Sequence, residues 1–205
     1  MRTLFVLALA LIATPALAHH PMAGATPATV WHGLLSGIGH PIIGLDHLAF
    51  VIAIGLVSAF LRSRLLLPAT FALATVAGCG LFLAGVTLPL MEVAITASVV
   101  ALGAVVMLGR RVSVGVLAAL IAVAGLFHGG AYADAIVGAE TTPLVAYLAG
   151  FAVTQAGIAL AVAWGVGAVL RAAEPTALHP RLAGAVVAGI GVAFLVETVE
   201  GMIFV

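Results

Sequence analysis

The chain has 205 residues, 64% of them hydrophobic and 7% charged, with seven basic and seven acidic side chains. A mean hydropathy of +1.35 excludes a water-soluble domain, which could not keep that much apolar surface from solvent. Zero formal net charge and the absence of lysine exclude a basic face for nucleic acid or an anionic partner, and leave the lipid bilayer as the obligatory one.

In chain order, Met1 to Ala18 reads as a cleavable signal peptide. Arg2 supplies the positive start, Leu4 to Ala13 an apolar core too short to cross a bilayer, and Ala16-Leu17-Ala18 the small-x-small cleavage site. Cleavage leaves a mature chain that begins His19-His20-Pro21-Met22 and a short extracytoplasmic segment over 19–35. An uncleaved anchor is the alternative.

Six stretches then meet the length of about 20 apolar residues that a helix needs to span the hydrocarbon: 36–60, 65–87, 90–109, 112–132, 142–170 and 182–205. The expected fold class is all-α, a polytopic membrane protein with six transmembrane helices over 36–205. Connections this short hold no soluble catalytic domain. Gly78-Cys79-Gly80, Gly165-Val166-Gly167 and Gly184 to Gly191 predict close helix–helix approach. Cys79, the single cysteine, cannot form an intramolecular disulfide and reads as packing.

Arginine sets the orientation. Arg62 and Arg64 follow the first span, Arg110 and Arg111 the third, and Arg171 and Arg181 flank the connection between the fifth and sixth. Alternate connections lie on one side, and positive-inside bias makes that side cytoplasmic. The remaining connections carry Glu92, Asp134 and Glu140 without a basic residue. The mature N-terminus and Val205 then both face outward.

The chemistry concentrates in His40-Pro41-Ile42-Ile43-Gly44-Leu45-Asp46-His47. An ionisable group near the bilayer centre costs roughly 2.5–3.5 kcal/mol on insertion scales, and imidazole with carboxylate is a ligand set for a borderline transition metal. A pair of interfacial histidines with a buried Asp–His hydrogen bond is the bland alternative. On a straight helix, positions 40 and 47 stand about 10.5 Å apart, too far to share one ion. Pro41 removes a donor and Gly44 tolerates unusual angles, which predicts a distortion between His40 and Asp46, as in interrupted helices that expose ligands at mid-membrane.

Further candidate ligands fall toward the same outer half: His32, Glu92 at the entrance of the third span, and His128 and Asp134 near the exit of the fourth. Glu197 and Glu200 share a face of the sixth span and read as solvated or as vestibule lining. The α-amine, amide and imidazole of His19 and His20 would form a three-nitrogen chelate for a square-planar ion. His-x5-Asp recurs at His40/Asp46 and His128/Asp134, but the second lies at the wrong end of its span for an inverted repeat.

These motifs resemble the HupE/UreJ family of nickel and cobalt permeases. The likeness is carried by His40 to His47, of the form HPxxGxDH, by Phe127-His128-Gly129-Gly130-Ala131, by His19-His20-Pro21-Met22, and by Leu88-Pro89-Leu90-Met91-Glu92. Tyr132 departs from the pattern, since many members place a second histidine there, and Asp134 stands where an acidic residue is common. The resemblance implies a permease of the bacterial inner membrane that takes up Ni²⁺ or Co²⁺ as the transported ion, with no permanent cofactor, and leaves open a homo-oligomer.

No phosphate-binding loop GxxxxGK[ST] occurs, so the chain does not itself hydrolyse ATP. Three other readings stand beside transport: a membrane metalloenzyme, which the lack of HExxH disfavours, a metal sensor or scaffold, and the membrane component of a larger importer.

Overall fold

The computed structural model describes residues 26–204. Among these, seven helices and no strand are found: α1 Val30–Ile43, α2 Leu45–Ser58, α3 Leu66–Leu83, α4 Met91–Leu108, α5 Val114–Asp134, α6 Thr141–Ala168 and α7 Leu178–Phe204. Each of α3 to α7 is long and apolar enough to cross a membrane, and α1 with α2 provides a sixth crossing if the bent pair is one span. An all-helical polytopic fold follows from the composition, because hydrocarbon offers backbone amides no water and each segment must satisfy its own. The predicted signal peptide, with the histidines behind it, lies outside the described residues.

The first span is not one helix over 36–60. Helix begins at Val30, where the Thr29 hydroxyl accepts the His32 N–H at 3.1 Å, an N-cap. It stops at Ile43, and α2 leaves at 78° to α1. Each piece has 14 residues, about 21 Å, so neither alone crosses some 30 Å of hydrocarbon. Pro41 is buried inside α1, where it offers no N–H to the preceding turn. The break itself falls at Gly44, in an extended conformation of φ −72° and ψ 103°.

At the centre of the fold stands α2. Ala49, Phe50, Val51, Ala53, Ile54 and Ser58 are each 2% exposed or less, as expected of a helix that is apolar all round. It is packed by α3, α4, α6 and α7, while α3 pairs with α5, α4 with α7 and α1 with α6. The outer helices turn Leu73, Leu120, Val153 and Trp164 outward, an apolar rim matched to lipid.

Small residues fix these pairings. A Cβ on Gly78 would land on the Leu126 carbonyl and one on Gly129 on the Thr75 carbonyl, so α3 and α5 meet backbone to backbone. Gly103, Gly184 and Gly191 do the same between α4 and α7. The close approach predicted at Gly165-Val166-Gly167 is absent: Gly165 faces open space and Gly167 has only the Arg64 guanidinium at 3.7 Å. The buried residue of that turn is Val166, so the glycines flank the packed face.

The arginine-bearing connections meet at one end of the bundle. Phe60, Leu61, Arg110, Arg111, Ala173 and Pro175 line a cleft there of about 260 Å³.

Candidate metal site

The corner at Gly44 sets His40, in the last turn of α1, against His47, in the first turn of α2. Their ring centroids are 6.0 Å apart, well inside the roughly 10.5 Å that a straight helix would impose. From α5, His128 brings its Nδ1 to 2.8 Å from Nδ1 of His47. His40 and His47 are each 5% exposed, Asp46 4% and His128 0%. These four, among the residues that the sequence singles out, share one buried region.

Asp46 sits in the first turn of α2 and its Oδ1 accepts the His47 N–H at 2.8 Å. A carboxylate there offsets the positive end of the helix dipole and satisfies an amide that no preceding turn can reach.

The hydrogen-bond network assigns the imidazole protons. Ser98 donates its hydroxyl hydrogen to the Ile95 carbonyl at 2.6 Å. Its oxygen can therefore only accept from His128, whose Nε2–H lies at 3.1 Å. In the neutral ring this leaves the His128 lone pair on Nδ1, and His47 donates Nδ1–H to it. Tyr147 acts in the same way on His40: its hydroxyl donates to the Tyr132 carbonyl at 2.7 Å and accepts from His40 Nδ1–H at 2.9 Å. Two histidines are thus oriented by hydroxyls whose own hydrogens are committed to backbone.

Aromatic rings wall the region off. Phe50 stacks on His128 with centroids 4.7 Å apart, Phe71 meets the same ring edge-on at 5.4 Å, and Tyr132 touches His40 at 4.8 Å and His47 at 4.7 Å. Two nitrogens bound cis to one ion at about 2.05 Å would stand about 2.9 Å apart, close to the His47–His128 spacing. Among the described residues, no group of three or more His, Cys, Asp or Glu side chains stands ready to hold a metal ion as it is. The arrangement is a hydrogen-bonded imidazole pair with a third imidazole and a carboxylate beside it.

The other expected residues are not buried with these four. His32 is exposed on α1, Glu92 in the first turn of α4 and Asp134 at the end of α5; Glu197 and Glu200 are exposed on α7. His19 and His20 lie outside the described residues. Sequence reasoning passed over Ser98 and Tyr147 and took Tyr132 only as a departure from a pattern. The available signal was a hydroxyl inside an apolar span.

The chain matches the family described as HupE / UreJ protein over residues 7–194. It is 31% identical over 191 residues to "Protein HupE" of Rhizobium leguminosarum bv. viciae, a match that covers 92% of this chain and 95% of that protein. No solved structure matches. With a family match over most of its length and an all-helical membrane architecture of the kind the motifs imply, the chain belongs to the HupE / UreJ family.

Proposed function

We propose that this protein takes up a divalent transition metal, Ni²⁺ or Co²⁺, from the periplasmic side of the bacterial inner membrane and releases it to the cytoplasm. The observation that carries the reading is the His47–His128 pair, two Nδ1 atoms 2.8 Å apart at 5% and 0% exposure. Polar groups so deep in an apolar bundle mark substrate pathways. The ion takes the place between the two nitrogens when the His47 proton passes from Nδ1 to Nε2 of the same ring, because a ligating imidazole nitrogen carries no proton. Asp46 supplies negative charge beside them and His40 a third imidazole across the corner.

Position supports the same reading. The site lies at a helix break, where a transporter exposes ligands without leaving backbone groups in lipid. His32, Glu92 and Asp134, exposed toward the end opposite the arginines, serve as an approach, and His19 and His20 as a first contact. Both termini then lie on the periplasmic side. No HExxH motif occurs in the sequence, and the Ser98 hydroxyl beside His128 gives its hydrogen to the Ile95 carbonyl, which weighs against a metalloenzyme.

Purified protein in liposomes tests this. Loaded with radioactive Ni²⁺ or Co²⁺ outside, wild-type vesicles accumulate luminal metal above empty vesicles. Asp46→Asn and His47→Ala abolish that accumulation, and His128→Ala lowers its rate by at least about tenfold. Wild-type rates in Asp46→Asn or His47→Ala would overturn the site; no accumulation by the wild type would return the protein to the sensor or scaffold class.

A further inference from the structure

Among the described residues, three buried side-chain atoms have no hydrogen-bond partner: the Tyr132 hydroxyl, Gln155 Oε1 and the Ser58 hydroxyl. Their placement follows one line through the bundle. Tyr132 lies level with the His40 and His47 rings. Gln155 is the only amide side chain in the protein and is 1% exposed on α6. A Cβ on Gly55 would meet the Ala159 carbonyl at 2.5 Å, which sets the register of α2 against α6. Gln155 lies one turn before Ala159 on α6, as Val51, one turn beyond His47, lies one turn before Gly55 on α2.

The orientation of the amide is fixed. Thr75 donates its hydrogen to the Ala72 carbonyl at 3.0 Å, so its oxygen can only accept, and Gln155 Nε2 donates to it at 2.6 Å. Oε1 is thereby left as a pure acceptor in an apolar interior. The Thr75 carbonyl presses against Gly129, next in sequence to His128, so this pair meets the turn of α5 that carries that imidazole.

Ser58 continues the line. His47, Val51, Ile54 and Ser58 recur at the spacing of one helical face, which carries Ser58 about 16.5 Å along α2 from His47. It is 0% exposed and follows Leu56 and Val57, which line the cleft at the arginine end. Between His47 and that cleft, α2 presents Val51 and Ile54, both fully buried, and neither carries a metal ligand.

We infer that Gln155 Oε1 and the Ser58 hydroxyl are the inner stations of the metal path, handing a divalent cation from the imidazole pair to the cleft between the arginine-bearing connections. This rests on the transport reading above and extends it to the exit half. Unpartnered buried oxygens are costly to fold around, and a passing cation is the partner that they lack. Neutral amide and hydroxyl oxygens bind a borderline ion more weakly than imidazole does. Weak stations suit passage, since a conducting site must release what it binds.

The test uses the full-length protein and Co²⁺ alone. Three quantities are read for wild type, Gln155→Leu and Ser58→Ala: equilibrium Co²⁺ binding in detergent, the initial rate of radioactive Co²⁺ uptake into liposomes at saturating metal, and the thermal midpoint. Both variants should bind Co²⁺ as the wild type does, while uptake falls about tenfold in Gln155→Leu and severalfold in Ser58→Ala. Ser58→Ala removes an unpartnered hydroxyl, so its thermal midpoint should be no lower than the wild type's. Slower transport by a protein that is no less stable is not what a structural role produces. Wild-type uptake rates in both variants would overturn the path, and so would loss of Co²⁺ binding in Ser58→Ala. If Gln155→Leu does not reach the membrane, Ser58→Ala decides alone. Failure of the wild type to load vesicles would instead strike the transport reading, a result distinct from equal loading by wild type and variants.

Discussion

At His128 both ring nitrogens are committed, Nε2–H to the Ser98 oxygen and Nδ1 to His47. Ser98 is held in the acceptor role by its own bond to the Ile95 carbonyl, so the tautomer of His128 is set from α4 without contact between Ser98 and any ion. Partners of this kind fix ring orientation and basicity, and their loss commonly costs 10–100-fold in metal affinity. Ser98→Ala should therefore weaken Ni²⁺ or Co²⁺ binding by about tenfold, with Ser98→Thr recovering most of it. Nitrogen-15 NMR of ring-labelled histidine checks the cause directly. The wild type should show His128 protonated at Nε2, and Ser98→Ala a mixture of tautomers. An unchanged spectrum with unchanged affinity would leave Ser98 as packing. None of this was legible from composition. A serine inside an apolar run has no visible role until the register of α4 against α5 places it beside a particular histidine.

The corner between α1 and α2 is the element on which the site depends. Gly44 is not there for a left-handed backbone, since φ −72° and ψ 103° are open to any residue. It is there for space: a Cβ would come to 2.7 Å from Cδ2 of His47 and 3.4 Å from Oδ1 of Asp46. Gly44→Ala should push the imidazole aside, lengthen the His47–His128 contact and lower metal affinity by about tenfold. The helices should stay intact, because no backbone strain is introduced. Circular dichroism and calorimetric metal titration together test this; wild-type affinity in the variant would show that the ring tolerates the shift. A break near here was readable in Pro41 and Gly44, because both residues disturb a helix for reasons local to themselves. The start of α1 at Val30 was not. His32 and Trp31 look interfacial, and what makes the segment helical is the packing of Gly33 and Gly37 on the backbone of Pro143 and Tyr147. For the same reason Gly165 and Gly167 misled: spacing alone does not say which face of a helix meets a neighbour.

Across the whole molecule, hydropathy marked the segments that form five long apolar helices and the bent pair, because in lipid each crossing must satisfy its own backbone. The order in which the helices assemble was hidden, and with it the central position of α2. A helix that is apolar on every side reads from sequence as an ordinary lipid-facing span. The arginines carried the most information per residue. Arg110 and Arg111 line the cleft with Phe60 and Ala173, so connections far apart in sequence gather at one end, as parity of the spans requires. We propose from positive-inside bias that this end faces the cytoplasm, and the proposed direction of metal flow, from the broken helix toward the cleft, depends on it. Cysteine labelling can test this orientation, because Cys79 is the lone cysteine and is fully buried. In a Cys79→Ala background, Val137→Cys lies in the exposed α5–α6 connection and Glu174→Cys in the exposed α6–α7 connection. A membrane-impermeant maleimide added to intact spheroplasts should label position 137 and leave position 174 untouched until the cells are lysed. The reverse pattern would turn the molecule over. His40, Asp46, His47 and His128 would then stand nearer the cytoplasm, with the arginine cleft open to the outside, and the same residues would describe export rather than uptake.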